Sequence, residues 1–175
     1  VAVDVDQGIT SLNSYAVEEM GQHLIQVAGR AGRLDGNATV LVQSRYVNDQ
    51  NLLQLRSGNY LKFSKSLMEQ RQTTNQPPYS FEATIKASSP KAQTNIEMLT
   101  HAKKFIDASK CMVIGPIPAM QSKVRGSYHH HLVIQADTRT SLNKLLVNLS
   151  DSLTIDKNNI SNRVRWSINV DPIEF

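Results

Sequence analysis

Apolar and polar positions alternate along the chain in segments whose period changes near the middle. Val1-Ala2-Val3 is a short apolar run stopped by Asp4-Val5-Asp6 and reads as the end of a buried strand. Val17, Met20, Leu24 and Val27 recur at helical spacing. That spacing predicts a helix beginning near Asn13 or Ser14, both good N-caps, and stopping at Gly36-Asn37. Residues 38–44 (ATVLVQS) are rich in β-formers and predict a short strand. From about Asn48 to Thr73 the pattern predicts one long polar helix, with Leu52, Tyr60, Phe63 and Leu67 on one side.

The Pro77-Pro78 pair in NQPPYS cannot continue a helix, and a domain boundary is expected there. Beyond it the elements follow regularly. FEATIKA alternates as a strand, and residues 89–109 predict a helix with Ser89 as cap and Pro90 in its first turn. The apolar face of that helix is expected to be Ala92, Ile96, Leu99 and Ile106. CMVIGPIPA predicts a strand running into a Gly-Pro turn, and YHHHLVIQA a second strand. The helix over 137–153 sets Leu142, Leu145, Leu146, Leu149 and Leu153 on one face. RVRWSINVD closes the pattern as a strand with Trp166 in the core. The resulting order, βαββαβ, is the ferredoxin-like split βαβ arrangement, with helices on one face of an antiparallel sheet. Three segments follow: residues 1–47, a connecting helix and linker over 48–76, and an α+β domain over 77–175.

Composition narrows the function classes. The 175 residues are 40% hydrophobic and 19% charged, as in a globular protein, and no apolar run is long enough to span a bilayer. No basic and apolar leader is visible, so a cytoplasmic location is expected. Cys111 is the one cysteine, which excludes an internal disulfide and fits a reducing compartment. The first residue is valine, which suggests a processed chain or a fragment. Net charge is +4, and no Asp or Glu occurs between Asp107 and Asp137, an interval holding Lys110, Lys123, Arg125 and three histidines. An acidic partner suits that distribution.

QVAGRAGR (Gln26 to Arg33) is the segment least explained by packing. A helix C-terminus accounts for one Arg against the dipole and one Gly as a stop. It does not account for a doubled Gly-Arg unit behind Gln26. Two guanidinium groups held together suit a transferring γ-phosphoryl group, whose oxygens gather charge, while glycine lets backbone approach closely. On this reading Arg30 and Arg33 are the catalytic pair, and Gln26 and Gly29 join them in binding nucleotide.

QVAGRAGR resembles the last conserved motif of superfamily two helicases. The stretch from DVDQGITS to EEMGQHLIQVAGRAGR narrows the resemblance to the primosomal protein N′ family of replication-restart helicases, with Asp4, Asp6, Glu18 and Gln22 at matching spacing. QPPYS, VIGPIPA, KVRGSY before an LVIQ strand, and the closing VDPIEF are similar to that family's C-terminal domain, in the same order. The resemblance covers essentially the whole chain. It implies the end of a RecA-like lobe two followed by an S10-like domain, within an ATP-driven 3′-to-5′ DNA helicase that acts at stalled forks and starts primosome assembly. It further implies ATP and Mg²⁺ as cofactors of the complete enzyme. The partners it implies are forked and single-stranded DNA, single-stranded-DNA-binding protein and other primosome proteins. A phosphate-cradling GxxxxGK[ST] loop, an acidic Mg²⁺ box and the family's zinc-binding cysteine pairs are absent from these residues, and are expected upstream. Alone, the chain is expected to be inactive in ATP hydrolysis.

QSKVRGSYHHHLVIQ has two readings: a solvated basic hairpin, or a phosphate-contact loop in which Lys123 and Arg125 neutralise backbone charge and Tyr128 stacks on a base. Where the family usually carries Arg after the aromatic, His129 stands here, which weakens fixed positive charge at neutral pH. On a strand His129 and His131 share a face and His130 points away, a poor metal site without nearby thiolate or carboxylate. His23 and His101 are expected at the surface or a boundary, and Cys111 as a strand residue of the core. Arg163 and Arg165 share one strand face and extend the basic surface. A stand-alone, non-catalytic module binding DNA or single-stranded-DNA-binding protein is the alternative. An S10-like RNA-binding protein is a third reading, which the γ-phosphate motif argues against.

Overall fold

The computed structural model describes residues 2–11, 13–31, 39–106, 111–155 and 164–172. The chain divides into two compact units, residues 1–76 and 77–175. Arg33, Lys110, Arg163 and the Gly36-Asn37 stop lie outside the described residues. No helix among those described is long and apolar enough to cross a membrane.

The first unit begins with strand β1 (Ala2–Asp4), which pairs in parallel with β2 (Leu41–Gln43), so Ala2 faces Leu41 and Asp4 faces Gln43. Between them run a short helix α1 (Asp6–Thr10), which the pattern did not predict, and α2 (Ala16–Ala31). The long polar helix expected from Asn48 is two helices, α3 (Gln50–Arg56) and α4 (Tyr60–Thr73). Local chemistry causes the break. Gly58 adopts φ +70°, and the Asn59 side chain accepts from the Lys62 amide, starting a new helix. Asp49 caps α3 in the same way, accepting from the Asn51 and Leu52 amides.

A small core of Val5, Met20, Leu24, Leu55, Phe63 and Leu67 joins these helices. Its tightest contact is at Gly21, where an added Cβ would run into the ring carbons of Phe63. Arg71, only 4% exposed, reaches from α4 to the start of α2. Its Nη2 donates to the Ser14 carbonyl (2.8 Å) and to Glu18 Oε2 (3.0 Å), and its guanidinium lies over the Tyr15 ring. At the start of α1, Asp6 accepts from Ser44 Oγ (2.7 Å) and from the Arg45 backbone and Nε, which ties α1 to the chain leaving β2. Those hydrogen bonds, Ser44's first, hold its carboxyl below the usual carboxylate range.

The second unit has the order β3 (Phe81–Ser89), α5 (Ala92–Lys103), β4 (Met112–Val124), β5 (Ser127–Ala136), α6 (Arg139–Ile155), β6 (Arg165–Val170). Its four strands pair antiparallel in the order β4-β5-β3-β6, the predicted split βαβ arrangement. Ala83, Ile85 and Ala87 of β3 and Leu132 and Ile134 of β5 meet Met98 and Leu99 of α5 and Leu142, Leu146 and Leu149 of α6 in one core. Strand alternation therefore turns Glu82, Thr84, Lys86 and Ser88 to the helix-free face. Trp166 is half-buried against the core, and Cys111, just before β4, is likewise half-buried.

Three expectations are corrected. Ser89 does not cap α5: Lys91 occupies the cap position, and Ser89 Oγ donates to the Lys91 carbonyl. Leu99 and, beyond the helix, Ile106 are buried in the core as expected, but Ala92 and Ile96 are only half-buried, and Asn95, Met98 and Ala102 complete the buried face of α5. Gly115-Pro116 is not a terminating turn. β4 continues through it by an irregularity between Ile114 and Ile117, with Gly115 at φ +116°. A Cβ at Gly115 would lie 2.7 Å from the His131 carbonyl oxygen, so only glycine fits.

Two predictions follow from this packing. Gly21→Ala gains about 1 kcal/mol of helix propensity but overpacks a rigid ring, which costs about 1–3 kcal/mol. Urea unfolding is expected to show a net loss for Gly21→Ala, and an unchanged or higher midpoint for Gly29→Ala, where a Cβ meets nothing within 4 Å. A raised midpoint for Gly21→Ala would overturn the first. The second concerns His131, which burial, then Lys86, His129 and His130, push down to about 4. Below its ordinary value near 6.5 the unfolded chain takes up a proton that the folded one refuses. This contribution to stability is complete above about 6.5 and declines as pH falls toward 4. His131→Gln should flatten the pH dependence of the midpoint in that window, and an identical profile would exclude the buried neutral imidazole as its source.

Candidate functional site

Helix α2 is amphipathic in a way that gives its polar face a single direction. Met20, Gly21 and Leu24 are buried, while Gln22, Gln26, Gly29 and Arg30 are exposed. Positions 22, 26, 29 and 30 recur at helical spacing and share one face. The structure thus brings Gln26, Gly29 and Arg30 together, and Arg33 continues the spacing outside the described residues. Arg30 makes no hydrogen bond or ion pair among the described residues. Gly29 is informative because this chain's own packing does not require it: a methyl there would touch nothing. A better helix former would fit, so the glycine leaves open space beside Arg30. At the other end of the stripe Gln22 Nε2 lies 3.4 Å from Tyr60 Oη and 3.4 Å from Glu18 Oε1.

Of the acidic positions carried by the family resemblance, Asp6 and Glu18 are engaged structurally, with Ser44 and Arg45 and with Arg71 respectively. The phase of α2 depends on Arg71, Phe63 and Tyr60. Sequence reading missed Arg71, because a lone arginine on a polar helix carries no mark of burial. The spacing of Phe63 and Tyr60 on one side of their helix was the available signal for those two.

The basic hairpin is formed by β4 and β5, joined through Arg125-Gly126 with φ of 48° and 82°. Two successive positive φ values are the signature of a type I′ turn, and they hold Arg125 exposed at the tip. Lys123 faces Tyr128 across the strands, its Nζ 4.9 Å from the ring centroid. That cation–π contact gathers Lys123, Arg125 and Tyr128 into one cationic tip and occupies one face of the ring. Behind it, Asn95 Nδ2 donates to the Tyr128 carbonyl (2.7 Å) and lies 3.4 Å from His130 Nδ1. His129 alternates to the helix-free face and so departs from the side taken by Tyr128. His130 is buried beside α5, and burial followed by the neighbouring His129 lowers its pKa. His23 is exposed, and His101 is half-buried with its ring edge-on to Phe105. Among the described residues, no group of three or more His, Cys, Asp or Glu side chains is placed to hold a metal ion.

With this geometry in place, comparison with known proteins is specific. Residues 72–173 match the family described as the Primosomal protein N C-terminal domain. Replication restart protein PriA of Haemophilus influenzae is 33% identical over 97% of this chain and 23% of its own length. Its counterpart in Buchnera aphidicola subsp. Acyrthosiphon pisum is 29% identical over 96% of this chain and 24% of its own length. That of Bacillus subtilis is 26% identical over 75% of the chain and 17% of its own length. The chain therefore spans about a quarter of the length of these relatives. Both the match over the second unit and the identity across nearly the whole chain lead to one conclusion: the chain belongs to the PriA family of primosomal replication restart proteins.

Proposed function

We propose that this chain is the C-terminal part of an ATP-dependent 3′-to-5′ DNA helicase that recognises stalled forks and initiates primosome assembly. In this reading the first unit is the end of a RecA-like motor lobe, and the second is an S10-like DNA-binding domain. Gln26 and Gly29 line the nucleotide, and Arg30 and Arg33 meet the γ-phosphate. ATP with Mg²⁺ supplies the transferring phosphoryl group. The arginines offset the charge gathering on its oxygens, and reach them only when the motor lobes close. Lys123, Arg125, Tyr128 and His129 contact DNA in the second unit. Partners are forked and single-stranded DNA, single-stranded-DNA-binding protein and other primosome proteins, and the setting is the cytoplasm.

The observation that carries the reading is the α2 stripe. Gln26, Gly29 and Arg30 are exposed on one face, while Gly21, Leu24 and the Arg71–Glu18 pair fix the helix from behind. An exposed glycine next to an arginine that has no carboxylate partner among the described residues suits close approach by a phosphate chain.

In the complete protein, Arg30→Ala is expected to lower DNA-stimulated ATP hydrolysis by about 10³-fold or more, the scale of an arginine finger. Binding of forked DNA, read by anisotropy, should stay within a few-fold of the unsubstituted protein. Turnover retained in Arg30→Ala, with the fold intact by circular dichroism, would remove the γ-phosphate role.

A further inference from the structure

The cationic hairpin stands on a narrow base. β4 and β5 pair from Met112 opposite Gln135 as far as Pro118 opposite His130, and then again at Lys123 with Tyr128 and Val124 with Ser127. Between these stretches residues 119–122 of β4 stand against His129 alone, so the ladder that leads to the tip is broken. On the other side of β5, β3 ends at Ser89 opposite Tyr128. Beyond Tyr128 the hairpin is therefore a two-stranded ribbon without a third strand, and such a ribbon holds its place poorly by itself.

Asn95 reaches this base from α5. Only Pro90 and Lys91 separate β3 from α5, which keeps the start of the helix near the end of the strand. Asn95 is fully buried and shares its helix face with Met98, Leu99 and Ala102. Its Nδ2 donates to the Tyr128 carbonyl at 2.7 Å, which ties α5 to β5 where the register with β4 is lost. The same Nδ2 lies 3.4 Å from His130 Nδ1. An amide nitrogen has hydrogens to give and accepts none, so Nδ1 is the acceptor and the imidazole proton sits on Nε2. Burial, followed by the neighbouring His129, favours this neutral form. One amide thus spans Tyr128 and His130, the two neighbours of the residue that faces the irregular stretch.

Stability alone does not account for this amide. Asn95 Oδ1 is buried and has no hydrogen-bond partner among the described residues. An unmatched buried acceptor is unfavourable, and leucine would complete the apolar face of α5 without it. What asparagine adds is a donor aimed at one backbone carbonyl at the root of the hairpin.

We propose that Asn95 is a positioning residue for nucleic-acid contact: it holds the Tyr128 carbonyl against α5 and so fixes the hairpin from which Lys123 and Arg125 meet a phosphate backbone. The inference rests on the reading of the hairpin as a DNA contact and deepens it. The path from the amide to the charges is short. Lys123 Nζ lies 4.9 Å from the centroid of the Tyr128 ring, and Arg125 sits between the two residues at the turn. Released from Asn95, the ribbon pivots about its irregular stretch, and both cations must be ordered again when a phosphate backbone binds.

The test is a double-mutant cycle read by anisotropy of a labelled single-stranded oligonucleotide with the 175-residue chain. Lys123→Ala/Arg125→Ala should reduce the slope of log K against log salt by about 1.4, since each phosphate contact on a single strand contributes about 0.7. Asn95→Leu removes the donor and keeps the bulk. It should weaken binding about tenfold, the scale of ordering two long side chains on binding. In the Lys123→Ala/Arg125→Ala background it should change nothing further, a coupling that a general loss of stability does not produce. Asn95→Ala removes donor and bulk together and should give the same two results, which separates the hydrogen bond from packing. Unchanged affinity in both Asn95 variants, with the hairpin variant still defective, overturns the inference and leaves the hairpin contact standing. So does an effect of one Asn95 variant without the other, or a loss that persists at full size in the hairpin background. Failure of both variants to fold, read by circular dichroism, makes Asn95 a requirement of the fold and likewise overturns its role at the hairpin. An unchanged slope in Lys123→Ala/Arg125→Ala, or no binding by the unsubstituted chain at low salt, overturns the hairpin reading and this inference together.

Discussion

Everything in the second unit depends on the alternation of β3. This central strand pairs with β5 along nine positions and with β6 along six. A one-residue slip would turn Ala83, Ile85 and Ala87 away from the helices and drive Glu82, Thr84 and Lys86 into an apolar core. The small size of Ala83 and Ala87 lets α5 and α6 lie close, and Ile85 between them fills the space. Because the register is fixed in this way, the polar set is fixed with it. Lys86 and Ser88 must share a surface with His129, His131 and Arg165. The apolar pattern that sets the core and the polar pattern opposite it are then two faces of one strand, and neither moves without the other.

The first unit reaches comparable definition with less core. Its helices meet through six buried apolar side chains, and a glycine against an aromatic ring sets how closely α2 approaches α4. Burying Arg71 is costly unless its charge is met, and the Ser14 carbonyl and the Glu18 carboxylate accept from its Nη2 while the Tyr15 ring lies against its guanidinium, leaving its Nε without a partner. Those partners sit within the first turn of α2 or just before it. The arginine thus fixes the rotation of the helix about its own axis, while Phe63 fixes its distance. A stripe such as Gln22, Gln26 and Arg30 presents one direction only if both are fixed.

Much of this was legible in the sequence where one period governed a whole element. The leucines of α6 and the alternation of β3 and β5 each have a single consistent reading, and the βαββαβ order came from them. Reading failed where two short-range signals compete. Asn48 to Thr73 carries a continuous polar stripe, yet Ser57-Gly58-Asn59 is also a strong stop and restart, and the stop won through the Asn59 cap. Gly115-Pro116 looks like a turn because both residues punctuate chains, but an edge strand tolerates proline at an irregularity, and β4 is an edge. The cationic hairpin was visible as an acid-free interval. Arg165 was read as extending that basic surface, but Lys86 was not grouped with it, because it lies about forty residues before Gly126 and only the register of β3 with β6 sets the two strands side by side.

The segregation of charge along the sheet has a cost that the structure limits rather than removes. Like charges at neighbouring cross-strand positions are unfavourable. Lys86 faces His131 directly, so a protonated imidazole there would add repulsion to burial. Holding that imidazole neutral is the cheaper solution. At the hairpin, Lys123 settles over the Tyr128 ring, which spreads its charge against a π face without a carboxylate. Arg125 and Arg165 stay in water, where solvent screens them. Among the described residues, no carboxylate is paired with Lys123, Arg125 or Arg165. A carboxylate beside any of these cations would contribute only about 0–1 kcal/mol at the surface, and it would compete with any phosphate for the same cation. Stability therefore gains little from pairing such exposed cations with a carboxylate.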